Sequence, residues 1–318
     1  MTGSGGPTKL TLPPTALRSR VTEIENVYVI GHFGIARVAE RDWSLRIGGA
    51  VTEPLELTMS GLRALPSVTV TAVLECFGNP LAPSIPVRRA ANVVWRGVPV
   101  ADLLMAAGVE PGATALWAEG MDSGRFDDVD CTEYLKDLPL EIAVERGIVA
   151  YEMNGAPLTA EHGFPARLFV PGYFGTNNVK WLRELTVTDR RPEHLFTTRL
   201  YQRLEPGSSE PRPVRDIDVT SLITIAPGSR APGEVLIEGW AWGAAQIERL
   251  QLRIGGSWTD TELERRPTGT FGWQRFSHRH RFEAGDHEIT ARATDALGRV
   301  QPLADARNQV HSVTLSVR

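Results

Sequence analysis

The run Val70-Thr-Ala-Val-Leu-Glu-Cys76 is apolar and β-branched for most of its length and opens directly into Phe77-Gly-Asn-Pro80. That pattern predicts a buried strand that ends in a turn. Val68 to Leu74, Ile148 to Met153 and Arg167 to Val170 are the strand candidates of this half of the chain, each bounded by turn residues. Val100, Leu103, Leu104 and Ala107 recur at helical spacing and stop at Gly108, and Pro139 to Glu145 predicts a short helix ended by Gly147. Strands and helices are mixed without regular alternation, so an α+β domain is expected. No G-x-G-x-x-G follows a strand, which argues against a dinucleotide fold.

The texture changes at Glu205-Pro-Gly-Ser-Ser-Glu-Pro-Arg-Pro213, where three prolines, a glycine and two serines interrupt all periodicity. This is linker chemistry. Beyond it, Val219 to Ile225, Val235 to Trp242, Ile247 to Ile254, His287 to Thr294 and Val313 to Val317 are short alternating runs, separated by turns such as Pro227-Gly228. They predict an all-β sandwich of immunoglobulin type. The expected organisation is an N-terminal extension over 1–24, a first domain over 25–204 and the sandwich over 205–318. Trp240, Trp242, Trp258 and Trp273 read as core or interface anchors.

Composition adds exclusions. The 318 residues are 42% hydrophobic and 23% charged, enough for real cores in two domains. A net charge of −4 argues against a nucleic-acid footprint. No window approaches the ~18 apolar residues of a membrane span. Met1-Thr-Gly-Ser-Gly-Gly-Pro7 resembles neither a secretory nor a twin-arginine signal, so a cytoplasmic location is expected. Two cysteines make no disulfide framework. Asp122 to Asp130 holds four aspartates but lacks the spacing of a calcium loop and reads as a solvated loop.

Cys76 on local pattern alone is either a core thiol or a thiolate ligand for a soft metal. Its neighbours across the first domain form an ordered series. His32 follows Tyr28-Val-Ile-Gly31; Cys76-Phe-Gly-Asn79 comes next; then Trp95-Arg-Gly-Val-Pro99, Glu119-Gly-Met-Asp122-Ser-Gly124, Tyr151-Glu-Met-Asn-Gly155, His162-Gly-Phe-Pro-Ala-Arg167 and Gly175-Thr-Asn-Asn-Val-Lys180-Trp-Leu182. Seven blocks in this order resemble the molybdenum-cofactor domain of the sulfite oxidase family, over about residues 25 to 202. The β-rich remainder resembles that family's dimerisation domain.

The resemblance implies a molybdenum–molybdopterin cofactor with one pterin dithiolene and Cys76 as protein ligand to the metal. It implies oxo transfer coupled to two-electron chemistry on a small-molecule substrate, with the cofactor carrying the redox step. His32, Asp122, His162, Arg167, Asn178, Val179 and Lys180 lie in the blocks the family uses to grip the pterin. Arg167 and Lys180 suit its phosphate, one as a planar fork and one as a point charge. Tyr201 matches a family tyrosine beside the metal; alternatively it packs between domains. A homodimer is implied. No haem motif is present, so a separate electron-transfer partner is expected, with no nucleic acid and no membrane among the partners. Cys131 reads as a bystander thiol.

The departures concern substrate. The family arginine two residues before the first histidine is Ile30 here, and the intervening asparagine is Gly31. The family's C-A-G-N-R-R run reads Cys76-Phe-Gly-Asn-Pro80-Leu81, and Asn308-Gln-Val-His311 stands where a W-N-x-R-G segment belongs. Three cations that would embrace an oxyanion are therefore absent, each worth roughly 1.5 to 3 kcal/mol as a charge-assisted hydrogen bond. The expected substrate is not sulfite. Arg88 and Arg89 either restore positive charge or face solvent; sulfite oxidation with rearranged cations, and a non-catalytic relic of the fold, are the alternatives.

Overall fold

The computed structural model describes residues 8–9, 11–80, 88–204, 207–225 and 228–318. Leu81 and the first residues of the 205–213 linker lie outside them. The chain divides into two compact units. The first comprises Met1–Leu10, Val29–Val70 and Val94–Arg215; the second comprises Thr11–Tyr28, Thr71–Val93 and Asp216–Arg318. The chain passes from one unit to the other within the strands Val68–Glu75 and Ala90–Pro99.

In the first unit a five-stranded sheet runs in the order Leu135–Pro139, Ala115–Gly120, Leu182–Thr188, Ser44–Gly49, Leu55–Thr58. All neighbours are antiparallel except Leu182–Thr188 with Ser44–Gly49. Alternation sets the faces: Leu45 and Ile47 are buried while Arg46 between them is exposed. Strand Ile148–Met153 pairs with the Trp95–Pro99 part of its neighbour, with Arg167–Phe169 and with Ala156–Pro157. The helix Val100–Ala107 buries Val100, Leu103, Leu104 and Ala107 and ends where Gly108 turns left-handed at φ +67. The second helix is Leu140–Arg146, shifted one residue from the expected span because Pro139 caps it. Gly147 ends it as expected: an added Cβ there would lie 2.5 Å from the Ala143 carbonyl oxygen. These helices close a core of Trp43, Leu45, Leu103, Leu104, Leu116 and Leu185.

The second unit is dominated by two sheets. One is ordered Thr220–Ile223, Gly233–Trp242, Gln274–Phe282, Glu262–Leu263; the other Ser229–Arg230, His311–Val317, Gly285–Asp295, Ile247–Ile254, Trp258–Asp260. Ile223, Ile237 and Phe276 of the first share a core with Leu250, Ile289 and Leu315 of the second. Gln274–Phe282 was not expected as a strand. Arg275, Arg279 and Arg281 are exposed, and half-buried His278 and His280 stand between Phe276 and Phe282 on the inward register, so polar residues hide the alternation that buries the two phenylalanines. Trp240, Trp242 and Trp273 are buried as expected, whereas Trp258 is half-exposed between Arg253 and Arg292.

Among the described residues no helix is long and apolar enough to cross a membrane. The acidic stretch forms a hairpin, Gly124–Phe126 with Val129–Cys131. Asp127 and Asp128 take its left-handed corner at φ +51 and +61, the conformation a two-residue type I′ turn demands. No group of three or more His, Cys, Asp or Glu side chains among the described residues converges as a metal site. Cys131 is buried in the first unit's core.

Candidate active site

The sequence places His162 in a single 3-10 turn, Ala160–His162, ended by Gly163 at φ +102. Its Nδ1 lies 2.8 Å from the Thr159 hydroxyl, which fixes the ring. Arg167, 3% exposed, donates to the backbone carbonyls of His162 at 3.0 Å and Asn178 at 2.9 Å. Its guanidinium thus braces the two loops and stands 5.2 Å over the Trp95 ring. The Asn178 side chain accepts from the Val170 N–H at 2.7 Å, and the Val179 carbonyl accepts from Leu168 N–H at 2.8 Å, so the 175–180 loop is laced to the Arg167 strand.

Lys180 donates to the carbonyls of Ile30 at 2.9 Å and Glu161 at 3.1 Å. An ammonium has three donors; the third has no partner among the described residues. Burial and the nearby Arg167 charge depress its proton affinity, and Asp122 and Glu161 oppose that. Asp122 is buried and its pKa is raised by desolvation, against the pull of Lys180. The backbone approaches closely here: a Cβ on Gly120 would lie 2.6 Å from Asp122 Oδ1 and 2.9 Å from the Lys180 carbonyl. The structure therefore brings Asp122, His162, Arg167, Asn178, Val179 and Lys180 into one laced region of the first unit.

His32 and Tyr201 meet in the same unit, with His32 Nε2 2.6 Å from the Tyr201 hydroxyl. Tyr201 holds φ +57, a costly left-handed conformation for a bulky residue and one that clusters at functional sites. Phe126, Tyr134 and Phe196 surround the imidazole at ring distances of 5.0, 5.6 and 4.9 Å. Phe196 arrives on a π-type turn, Leu195–Arg199, a feature frequent at functional sites. Sequence reading missed the wall residues Tyr134 and Phe196, and Lys136 on the neighbouring strand. The one available signal was the Lys136-Asp137 pair inside an otherwise apolar run.

In the second unit Cys76 is half-buried at the end of its strand, as expected, and its N–H donates to Arg89 O at 3.0 Å. Burial pushes the thiol pKa up, while a hydrogen bond from the Gly78 backbone and the Arg89 guanidinium pull the other way. Arg89 also donates from Nη1 to Gly78 O at 2.8 Å, and its buried Nε has no partner among the described residues. Neither Arg88 nor Arg89 extends into solvent: Arg88 is 6% exposed, its backbone paired with Leu12, and Arg89 folds onto the Cys76 turn.

A third cation was not foreseen. Arg307 lies 5.4 Å over the Phe77 ring and donates to Asn79 O at 2.7 Å and Asp218 Oδ2 at 2.5 Å. It also stands 3.5 Å from Glu75, which is fully buried, accepts from Trp242 Nε1 and Asn79 Nδ2, and has its pKa raised to about 7 by desolvation.

Residues 32–196 match the family model for the oxidoreductase molybdopterin binding domain. The chain belongs to this family. Among relatives of this molybdopterin-binding family, the mitochondrial sulfite oxidase of Drosophila melanogaster is 33% identical, the alignment covering 91% of this chain and 57% of the fly protein. The sulfite oxidase of Arabidopsis thaliana is 31% identical over 91% of this chain and 84% of its own length. The crystal structure of the sulfane dehydrogenase SoxCD of Paracoccus pantotrophus superposes with a TM-score of 0.86 at 28% identity, covering 99% of this chain and 86% of that one. The chain thus spans just over half of the fly relative and most of the plant one. The donor set fits the family's cofactor: Arg167 and Lys180 stand in one buried region with their hydrogen bonds going to backbone carbonyls, and a guanidinium beside an ammonium suits an anionic group. A phosphate is such a group.

Proposed function

We propose that the protein is a molybdenum-cofactor-dependent oxidoreductase acting on a small substrate other than sulfite. The observation that carries the cofactor reading is the pairing of two buried basic side chains, Arg167 and Lys180, on the backbone of the His162 and Asn178 loops beside Asp122. When bound, the cofactor supplies oxo transfer coupled to exchange of two electrons. Cys76 provides the thiolate ligand, which a soft metal selects over oxygen donors. Lys180 and Arg167 offset the phosphate charge, and Asp122 and the backbone around Asn178 and Val179 meet the pterin edge. His32 and Tyr201 hold a proton between phenol oxygen and Nε2, inside aromatic walls that exclude water.

Ile30 and Leu81 at positions where the family carries arginines support a substrate other than sulfite, as does the similarity to a sulfane dehydrogenase. The two electrons pass to a separate partner, and the β module, of immunoglobulin type, serves as the homodimer surface. One observation favours a second reading, an anionic substrate such as sulfite: Arg89 and Arg307 both reach the turn that carries Cys76. Both cations are partly committed, Arg307 to two carboxylates and Arg89 to a carbonyl, which is why this reading ranks second.

The test is turnover of protein purified from a molybdenum-replete host with an artificial acceptor, sulfite against reduced-sulfur and S-oxide substrates. Sulfite turnover in the range of about 1 to 1000 s⁻¹ establishes the second reading. Protein that carries neither molybdenum nor pterin sinks both.

A further inference from the structure

Lys136 is 1% exposed, second in strand Leu135–Pro139, and has no carboxylate partner among the described residues. Its neighbour Asp137 points to the opposite face of the strand, as adjacent strand residues do. There Asp137 is taken up by Arg191, at 2.7 and 3.2 Å, and by Arg215 at 3.2 Å. Burying an ammonium without an anion is costly, so its position calls for a reason. The amine donates to the Phe196 carbonyl at 2.6 Å and stands 5.5 Å over the Tyr201 ring. It therefore holds both the turn that carries Phe196 to His32 and the ring whose hydroxyl meets His32 Nε2.

We propose that Lys136 is a positioning residue for the Tyr201–His32 pair: it seats the phenol on the imidazole and, while charged, offsets the negative charge that develops on the phenol oxygen as its proton moves to Nε2. In that step the Tyr201 O–H bond breaks and a His32 N–H bond forms, with no change in electron count. The proposal rests on the reading of Tyr201 as a residue of the reacting centre.

The charge is conditional. Burial lowers the Lys136 pKa to about 7; Asp137 raises it, and Arg215 and Arg191 lower it. Tyr201, whose ring the amine overlies, also faces it, as does His194, whose own pKa is lowered by burial and by Lys136 and raised by Glu133. Lys136 is thus charged on the acid side of neutrality and neutral on the alkaline side.

The test uses the full chain with ¹⁵N-labelled histidine and reads the His32 ring nitrogens by NMR in wild type, Lys136→Met and Lys136→Arg. The expected result is a shift difference between wild type and Lys136→Met at about pH 6 that disappears by about pH 9, where wild type has itself lost the charge. Lys136→Arg, which stays charged, shows the reverse: wild-type shifts at the lower pH and a difference at the higher. Lys136→Met shifts that match wild type at both values overturn the proposal, and so does Lys136→Arg that never departs from wild type, even should the methionine variant fail to fold. In the holoenzyme, Lys136→Met is expected to lower kcat about 10-fold with KM unchanged, and to add nothing to Tyr201→Phe. Absence of molybdenum from the purified protein defeats the functional reading, while the NMR result still decides the role of Lys136.

Discussion

Both units bury charge beside a family motif, yet they balance it differently. In the first, Asp122 and Glu161 lie near Lys180, but the hydrogen bonds of Arg167 and Lys180 go to the backbone carbonyls of His162, Asn178, Ile30 and Glu161. In the second, Arg307 is matched by Glu75 and Asp218. A cluster whose cations are bonded to carbonyls is suited to take up an external anion. One that neutralises itself is not; its work is to hold a piece of backbone still. The difference separates a region suited to grip a cofactor from one suited to fix the turn that presents a ligand.

Replacing Cys76 with Ser challenges that division most directly. The expected loss of activity exceeds the roughly 10–100-fold seen when a residue that merely supports a metal ligand is removed. Pterin content should stay near wild type, because the grip lies with Arg167, Lys180 and their neighbours. Steady-state kinetics alongside fluorimetric pterin assay checks both halves, and full activity in the serine variant contradicts the ligand assignment.

Arg307→Met addresses the self-neutralising cluster. Glu75 is fully buried and Arg307 largely so, and removing Arg307 leaves Glu75 to take up a proton and Asp218 without its partner, a loss of about 3 kcal/mol at most. Urea unfolding should show that loss, and adding Glu75→Gln should recover much of it. If the single variant is as stable as wild type, the pair is no clamp and Arg307 is open to a substrate anion.

The second unit also supplies a pH signature. His311 accepts from the Ile223 N–H at 3.1 Å, and burial, with Arg88 adding to it, holds its pKa down at about 3. The unfolded imidazole takes up protons below its ordinary value near 6.5, the folded one only much lower, so stability falls as pH drops through that window. The slope is about 1.4 kcal/mol per pH unit from this group alone, or roughly 2–3 kcal/mol by pH 4.5. His311→Asn should flatten that part of the stability–pH curve.

What the sequence showed and what it hid follow the range of the interactions. Gly108 and Gly147 mark helix ends because a chain terminates locally, and Cys76 is visible because a strand runs into its own turn. Arg307 and Glu75 are far apart in sequence, and nothing near either residue predicts the other. Arg88 stayed open between site and solvent, and Lys136 drew no reading, because composition carries no information about burial; only the packed sheet shows Lys136 closed in beside Tyr201. Gln274–Phe282 escaped for the opposite reason, since His278 and His280 take inward positions between its two phenylalanines and break the apolar pattern.

The smallest expected effect is the sharpest probe of the cofactor region. Gly120 has no room for a side chain: an added methyl meets Asp122 Oδ1 at 2.6 Å, the Lys180 carbonyl at 2.9 Å and Val179 Cγ1 at 3.3 Å. Gly120→Ala removes no charged side chain but forces Asp122 or the 179–180 backbone to move. Overpacking of this kind costs about 1–3 kcal/mol, measurable by urea unfolding. If the region grips the pterin, cofactor content should fall further than that modest destabilisation accounts for, while Gly48→Ala, at a glycine with nothing within 4 Å, should leave cofactor content unchanged. Equal pterin content in both variants would mean that Asp122 and Lys180 are bound to each other for stability, and that the Arg167 guanidinium near them serves some other anion.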